Sequence, residues 1–350
     1  MTSPNLQRRY RKTLAYVLGI SAVAGAIYGA VITYILAHGE PHELIEDIVR
    51  GTLRGIFTGL MIGGLIGWFE IFQVNTGRAR LRSLPFLSLV LIKGAYYAVV
   101  IVGSIWLGGQ LFRIEGDPGT GFNRTTIITV AFALIFSMIF SFMMEMSLLL
   151  GPGVLSNILR GRYHHPRREK RLFVFFDMRG STAIAERIGD LAFHRLLNRF
   201  FSDLTEPVLS WRGVIHKYVG DEMIVTWPLD GGRDASGAFA AVAEAHARLD
   251  SLREDYLRDF GVAPQFRAVL HAGEVVTGEM GEVKREIVLL GDTINTTARI
   301  EQLAKSLPEH ATIASAEAIA AAPPSGVAAT PLGQFSLPGK SAAITLYAVS

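Results

Sequence analysis

Two aspartates in this 350-residue chain stand where they could do chemistry. Asp177 closes the apolar run LFVFFD (172–177), and Asp221 lies in KYVGDEM (217–223), between the apolar runs VIHKY and MIVTW. The first reads as a buried strand and the second as a hairpin tip. A strand end and the tip of the neighbouring hairpin can meet at one edge of a sheet. Two carboxylates there, with the main-chain carbonyl of Met178, make a hard oxygen site suited to Mg²⁺ or Mn²⁺. Mg²⁺ is normally held by one or two carboxylates plus substrate phosphates, so a nucleoside triphosphate is a natural ligand. Gly180 follows Asp177 and Gly220 precedes Asp221, which lets backbone approach phosphate closely. Ser181 and Thr182 continue the first of these turns and are assigned with it to nucleotide binding. Asn295 and Arg299 are four apart and share a helix face. Arg suits a charged phosphoryl group, and Asn can position a ribose.

The elements that must hold these residues follow from periodicity. The stretch MRGSTAIAERIGDLAFHRLLNRFFSDLTEPVLSW is helical, and an Ala-rich helix covers about 233–258. FRAVLHAGEVVTGEMG reads as strand, turn and strand, and IVLL as a further strand. DTINTTARIEQLAKSL is a helix capped by Asp292 or Thr293. The order β-α-β-β-α-β predicts an α+β, ferredoxin-like domain, an antiparallel sheet with helices packed on one face.

The first half of the chain is of another kind. Half of all residues are apolar, and the excess falls before residue 151. An all-α transmembrane domain of four helices is expected there, with spans near 13–37, 51–74, 86–110 and 125–150. Arg8, Arg9, Arg11 and Lys12, then Arg78, Arg80 and Arg82, then Arg160, Arg162, Arg167, Arg168, Lys170 and Arg171 lie on one side. The positive-inside rule makes that side, and both termini, cytoplasmic. The domains are therefore 1–151, membrane; 152–171, a helical and basic coupling linker; and 172–350, catalytic. The protein is placed in the inner (plasma) membrane as a multi-pass protein, with membrane lipid as a partner. The net charge of +3 gives no argument for nucleic acid, and the lack of cysteine excludes a disulfide or a thiolate nucleophile. Gly51, Gly55, Gly59, Gly63 and Gly67 recur every four residues, and Gly25 and Gly29 repeat the spacing. Such a face suits close helix packing, within the chain or between copies. Glu70, Lys93 and Glu145 fall inside spans, and either form one interior cluster or snorkel separately.

The motifs LFVFFDMRGST (172–182), GVIHKYVGDEMIVTW (213–227), HAGEVVTGEMG (271–281) and LLGDTINTTARIEQLAK (289–305) together resemble the class III nucleotidyl cyclases, in that family's order. The resemblance covers about 170–350. It implies an adenylate cyclase that makes cyclic AMP and pyrophosphate from ATP. It implies two Mg²⁺ or Mn²⁺ ions per site on Asp177, Met178 and Asp221. Asn295 and Arg299 take the catalytic role at the ribose and the α-phosphate. Lys217 matches an adenine-contacting lysine, and Lys340 a lysine that meets the terminal phosphates. The resemblance also implies a head-to-tail homodimer whose sites draw the aspartates from one chain and Asn295 and Arg299 from the other. Val288 departs from the family pattern, since the second base-selecting position usually carries a hydrogen-bonding side chain.

Rival readings remain at this stage. A guanylate cyclase would use the same machinery, but usually carries Glu at the Lys217 position. A diguanylate cyclase resembles VGDEM, but has no use for the NTTAR helix. A silent domain that binds nucleotide or only dimerises would fit the same motifs. The signal received by the membrane half is not legible.

Overall fold

The computed structural model describes residues 4–36, 41–72, 86–112, 124–150, 165–229, 235, 237–282, 286–323, 327–340 and 342–350. The chain forms two compact units, Met1–Met146 and Ser147–Ser350.

The first unit contains α1 (Pro4–Leu36), α2 (Pro41–Phe72), α3 (Phe86–Leu111) and α4 (Arg124–Leu150). Three of these hold stretches long and apolar enough to cross a bilayer: Arg11–Ile35, Leu44–Glu70 and Leu91–Leu111. Among the described residues this criterion supports three of the four expected spans. Among the described residues α4 has a shorter apolar stretch, Ala133–Met143, below the ~20 residues a hydrocarbon core requires. Tyr16, Ile20, Val23, Ile27, Val31 and Tyr34 form an exposed apolar stripe on α1. An outward face of this kind suits lipid rather than water.

The glycine face packs α1 on α2 within the chain. A Cβ built on Gly55 would lie 2.0 Å from the Gly25 carbonyl oxygen, and one on Gly29 2.2 Å from that of Gly51. The backbones therefore touch where a side chain would separate them. Glu70 and Lys93 meet inside the unit: Lys93 Nζ donates to Glu70 at 3.1 Å, and the Tyr97 hydroxyl donates to the other carboxylate oxygen. Both charged side chains are buried, as an intramembrane pair must be. The side chain of Glu145, the third expected member, lies outside the described residues.

The second unit runs β1 (Arg167–Met178), α5 (Ser181–Ile188), α6 (Asp190–Ser210), β2 (Val214–Val219), β3 (Glu222–Pro228), α7 (Gly237–Ser251), α8 (Arg253–Phe260), β4 (Phe266–Met280), β5 (Glu286–Leu290), α9 (Asp292–Ala304), β6 (Thr312–Ser315), α10 (Ala316–Ala321), β7 (Ala329–Phe335) and β8 (Ile344–Val349). The sheet order is β2-β3-β1-β4-β6-β8-β7, with β5 paired to β4. Its first four strands form the expected antiparallel βαββαβ core. Beyond them the sheet is mixed, because β6 pairs with β4 in parallel.

Several sequence expectations are corrected. Helices cover both faces of the sheet, not one. Leu172, Val174 and Phe176 pack with α6 and α7, whereas Phe173 and Phe175 pack with Ile294 and Ala298 of α9. The continuous apolar run of β1 is the trace of a strand buried on both sides. That strand also starts at Arg167, so basic residues 167–171 belong to the sheet. The part of the expected coupling linker from 152 to 164 lies outside the described residues. The stretch read as strand-turn-strand is one 15-residue strand, β4. Gly273 there does not turn the chain; a Cβ on it would come within 2.5 Å of Thr293 Oγ1, so it admits the start of α9. The N-cap of α9 is Gly291, while Asp292 opens the first turn and the Thr293 hydroxyl donates to the Glu274 carbonyl.

Candidate active site

Register places the acidic residues. Asp177 pairs with Glu222 of β3 on one side and with Arg267 of β4 on the other. The β2–β3 hairpin turns through Gly220 and Asp221, with Val219 opposite Glu222. Gly220 has φ 61°, which a two-residue hairpin turn requires and which glycine adopts without steric cost. The turn therefore sets Asp221 beside the end of β1. Gly180, Ser181 and Thr182 follow directly, Gly180 as the N-cap of α5 and the other two in its first turn. Unpaired backbone N–H groups there form an anion-accepting terminus next to Asp177. The Met178 side chain is buried in the core, which leaves its backbone as the part available at this edge.

Asp177 is 7% exposed. Its nearest cations, Arg267 Nη1 and Lys305 Nζ, each stand 3.9 Å from Oδ2. Burial pushes its carboxyl up to about 6; Lys305 pulls it back, and Glu301 and Asp221 add to the rise. Glu222 is pushed up to about 7, again by burial first and then by Glu301 and Asp177. One oxygen of Glu222 is buried without a hydrogen-bond partner. Four carboxylates thus share a pocket with two bases. Among the described residues no group of three or more His, Cys, Asp or Glu side chains is placed to hold a metal ion by itself. Such a donor set, short of positive charge, fits Mg²⁺ or Mn²⁺ completed by substrate phosphates.

These shifts have a consequence for stability. A carboxyl whose folded pKa exceeds its unfolded value of about 3.9 binds its proton more readily when folded. Stability present in acid is then lost as pH rises towards about 6 for Asp177 and about 7 for Glu222. With divalent metal chelated, the protein is expected to melt at a higher temperature near pH 5 than near pH 7.5. Asp177→Asn is expected to recover on the order of 1–2 kcal/mol at pH 7.5. Thermal scans in detergent at the two pH values check this; equal midpoints for wild type would contradict it.

A second cluster forms at the N-terminal half of α9. The Lys340 ammonium donates to Asp292 and, as the main cause, holds that carboxyl below the usual range. A Cβ on Gly339 would lie 3.3 Å from the Arg299 guanidinium, so the LPGKS turn packs on Arg299. The turn thus sets Gly339 against Arg299 while Lys340 pairs with Asp292. Asn295 is exposed and Arg299 half-buried. Lys217 is exposed on β2, just after a register shift between Ile215 and Lys217. Val288 is half-buried on β5, opposite Gly278.

Arg299 does not aim at its own Asp177. From Arg299 to Glu301 is two residues, about 200° around the helix. Glu301 makes the approach to Asp177 and Glu222, so Arg299 lies on the other side of α9 from it. Sequence reasoning missed Glu222, Arg267, Glu301 and Lys305. The signal was available in part: Glu222 adjoins Asp221, and Glu301 and Lys305 are spaced i, i+4 on the motif helix.

Comparison with known proteins bears on the family. Residues 164–350 match the family model described as adenylate and guanylate cyclase catalytic domain. Adenylate cyclase 2 of Rhizobium meliloti is 32% identical over 264 residues, which covers 75% of this chain and 73% of that protein. An uncharacterized protein of Mycobacterium tuberculosis is 33% identical over 141 residues, 39% of this chain and 23% of that protein. A solved bacterial light-regulated adenylyl cyclase superposes with a TM-score of 0.54 at 22% identity, over 65% of this chain and 66% of that chain, and shares the fold. The chain therefore belongs to the class III nucleotidyl cyclases, the family of adenylate and guanylate cyclase catalytic domains.

Proposed function

We propose that the protein is a membrane-anchored adenylate cyclase that converts ATP to 3′,5′-cyclic AMP and pyrophosphate at sites shared between two copies of the chain. One observation carries the shared site: Glu301 of α9 acts on Asp177, while Arg299, about 200° around the same helix, stands with Gly339 and Asp292. A complete site then needs Asp177 and Asp221 from one chain and Asn295, Arg299 and Lys340 from its partner. The head-to-tail homodimer has two such sites by symmetry.

Asp177, Asp221 and the Met178 carbonyl would hold two Mg²⁺ or Mn²⁺ ions per site. When bound, these ions acidify the ribose 3′-hydroxyl and neutralise the triphosphate. The 3′-oxygen attacks the α-phosphorus, the bond to the bridging β-phosphate oxygen breaks, and the hydroxyl proton passes to solvent. Asn295 orients the ribose and Arg299 meets the charge that grows on the α-phosphoryl oxygens. Lys340, drawn from Asp292, pairs with the terminal phosphates. The Gly180–Thr182 turn contributes backbone donors to them, and Gly220 lets the chain come close.

Base choice rests on Lys217, because Val288 offers no hydrogen bond. Support for ATP comes from that lysine and from the Rhizobium relative, which is named an adenylate cyclase. Lys217→Glu is expected to lower kcat/KM for ATP by roughly 10–100-fold while GTP is affected less, since a site built to pair with one base edge rejects another strongly. Membrane anchoring is supported by the three apolar helices and the exposed stripe of α1. The Lys and Arg distribution supports a multi-pass arrangement with the cyclase unit in the cytoplasm.

The test is product formation by the purified full chain given ATP or GTP with Mg²⁺ or Mn²⁺, read by chromatography. Cyclic AMP from ATP, lost in Asp221→Ala, is expected. Cyclic GMP as the main product would move the protein to the guanylate side of the family. No cyclic product with either nucleotide would favour a silent nucleotide-binding module.

A further inference from the structure

Glu301 and Lys305 have no role in the reaction as described so far, yet Glu301, in the last turn of α9, and Lys305, its C-cap, are the residues that reach the acidic pocket. Glu301 is 7% exposed. Its charge is felt by both Asp177 and Glu222. Lys305 Nζ stands 2.7 Å from Glu301 and 3.9 Å from Asp177, on a side chain that is 55% exposed. Asp221 acts on the same ammonium.

The charges in the pocket set what a cation meets there. Asp177, Asp221, Glu222 and Glu301 give four negative charges when ionised, against Lys305 and Arg267. The deficit is two positive charges, which one divalent ion balances. The triphosphate brings the charge that a second ion would balance. Arg267 is 7% exposed and fixed in β4 between its neighbours. Lys305 differs: it sits at the end of a flexible stem on an exposed helix turn, so it can swing to water.

We propose that Glu301 and Lys305 are positioning residues that tune metal affinity in opposite senses. Glu301 supplies a buried negative charge behind Asp177 that strengthens cation binding. Lys305 is a tethered counter-ion that rests between Glu301 and Asp177 and must leave Asp177 when the metal arrives, which weakens binding. The inference rests on the metal-dependent cyclase reading above.

The experiment is Mn²⁺ binding to the full chain in detergent, read by electron paramagnetic resonance, with an ATP analogue whose α,β-bridge is methylene and cannot be cleaved. Lys305→Met is expected to tighten Mn²⁺ and Glu301→Gln to weaken it, each by roughly 5–30-fold, the size of a unit charge acting on a divalent ion from about 4–8 Å in a largely aqueous setting. Lys305→Arg keeps the charge and is expected to bind Mn²⁺ within about twofold of wild type. Unchanged binding in Lys305→Met, or shifts of the same sign in both charge-removing variants, overturns the proposal. Should Glu301→Gln fail to fold, the half-exposed Lys305 site still decides it. Wild type that binds no Mn²⁺ with the analogue overturns the metal-dependent reading itself. Wild type that binds while the variants do not differ overturns this inference alone.

Discussion

Chains carrying Asp177→Ala and chains carrying Arg299→Ala are each expected to be nearly inactive, and an equimolar mixture to recover about a quarter of wild-type activity. The fraction follows from symmetry: half of randomly paired dimers are mixed, and each mixed dimer has one intact site of two. Asp177→Ala removes a proposed metal ligand and is expected to take activity below detection. Arg299→Ala removes one electrostatic group and is expected to cost on the order of 10²–10³ in rate. Both chains should remain folded. Asp177 is a carboxyl whose burial already opposes its charge, and Arg299 faces away from its own sheet. The measurement is cyclic AMP formation in the mixture against either variant alone. A mixture no better than the mean of the two would mean that each chain builds its own site, and the division of α9 into two faces would have no catalytic meaning.

Gly55→Val is expected to loosen the membrane unit by about 1–3 kcal/mol or more, the range for overpacking a tight contact. Its Cβ would fall 2.0 Å from the Gly25 carbonyl oxygen, and that neighbour is backbone, which cannot step aside as a side chain end can. The helices must separate, and the contacts along the rest of the glycine face weaken with them. Gly94 is the control: a Cβ there meets nothing within 4 Å, so Gly94→Val is expected to be close to neutral. Intrinsic fluorescence during thermal unfolding in detergent compares the two. If Gly55→Val and Gly94→Val melt alike, the close approach of α1 and α2 contributes nothing to stability.

Much of the cyclase unit was legible in order and type. The antiparallel βαββαβ core follows from alternating apolar and turn segments. The positions of Asp177 and Asp221 follow from a strand end and a hairpin tip. The glycine ladder announced a helix contact, but its spacing is the same whether the partner is in the same chain or another copy. The three-dimensional packing of Gly25 on Gly55 decided for the same chain.

Other features could not be read in one dimension. A glycine inside a strand and a glycine in a turn look alike in sequence; only the packing of Thr293 against Gly273 tells them apart. The parallel β6 depends on where a crossover lands, which is a long-range matter. Glu301 and Lys305 read as one more polar helix face, because what a helix residue meets depends on the rotation of the helix against the sheet.

The sequence by itself determined which residues can do the chemistry, since metal, phosphate and base recognition each demand particular side chains in local motifs. The tertiary structure alone decided which of them stand together on one face of α9. Rotation of α9 on the sheet turns Glu301 and Lys305 towards Asp177 and turns Arg299 away, and no local spacing specifies that rotation; burial of Ile300 and Ala304 against the far strands does.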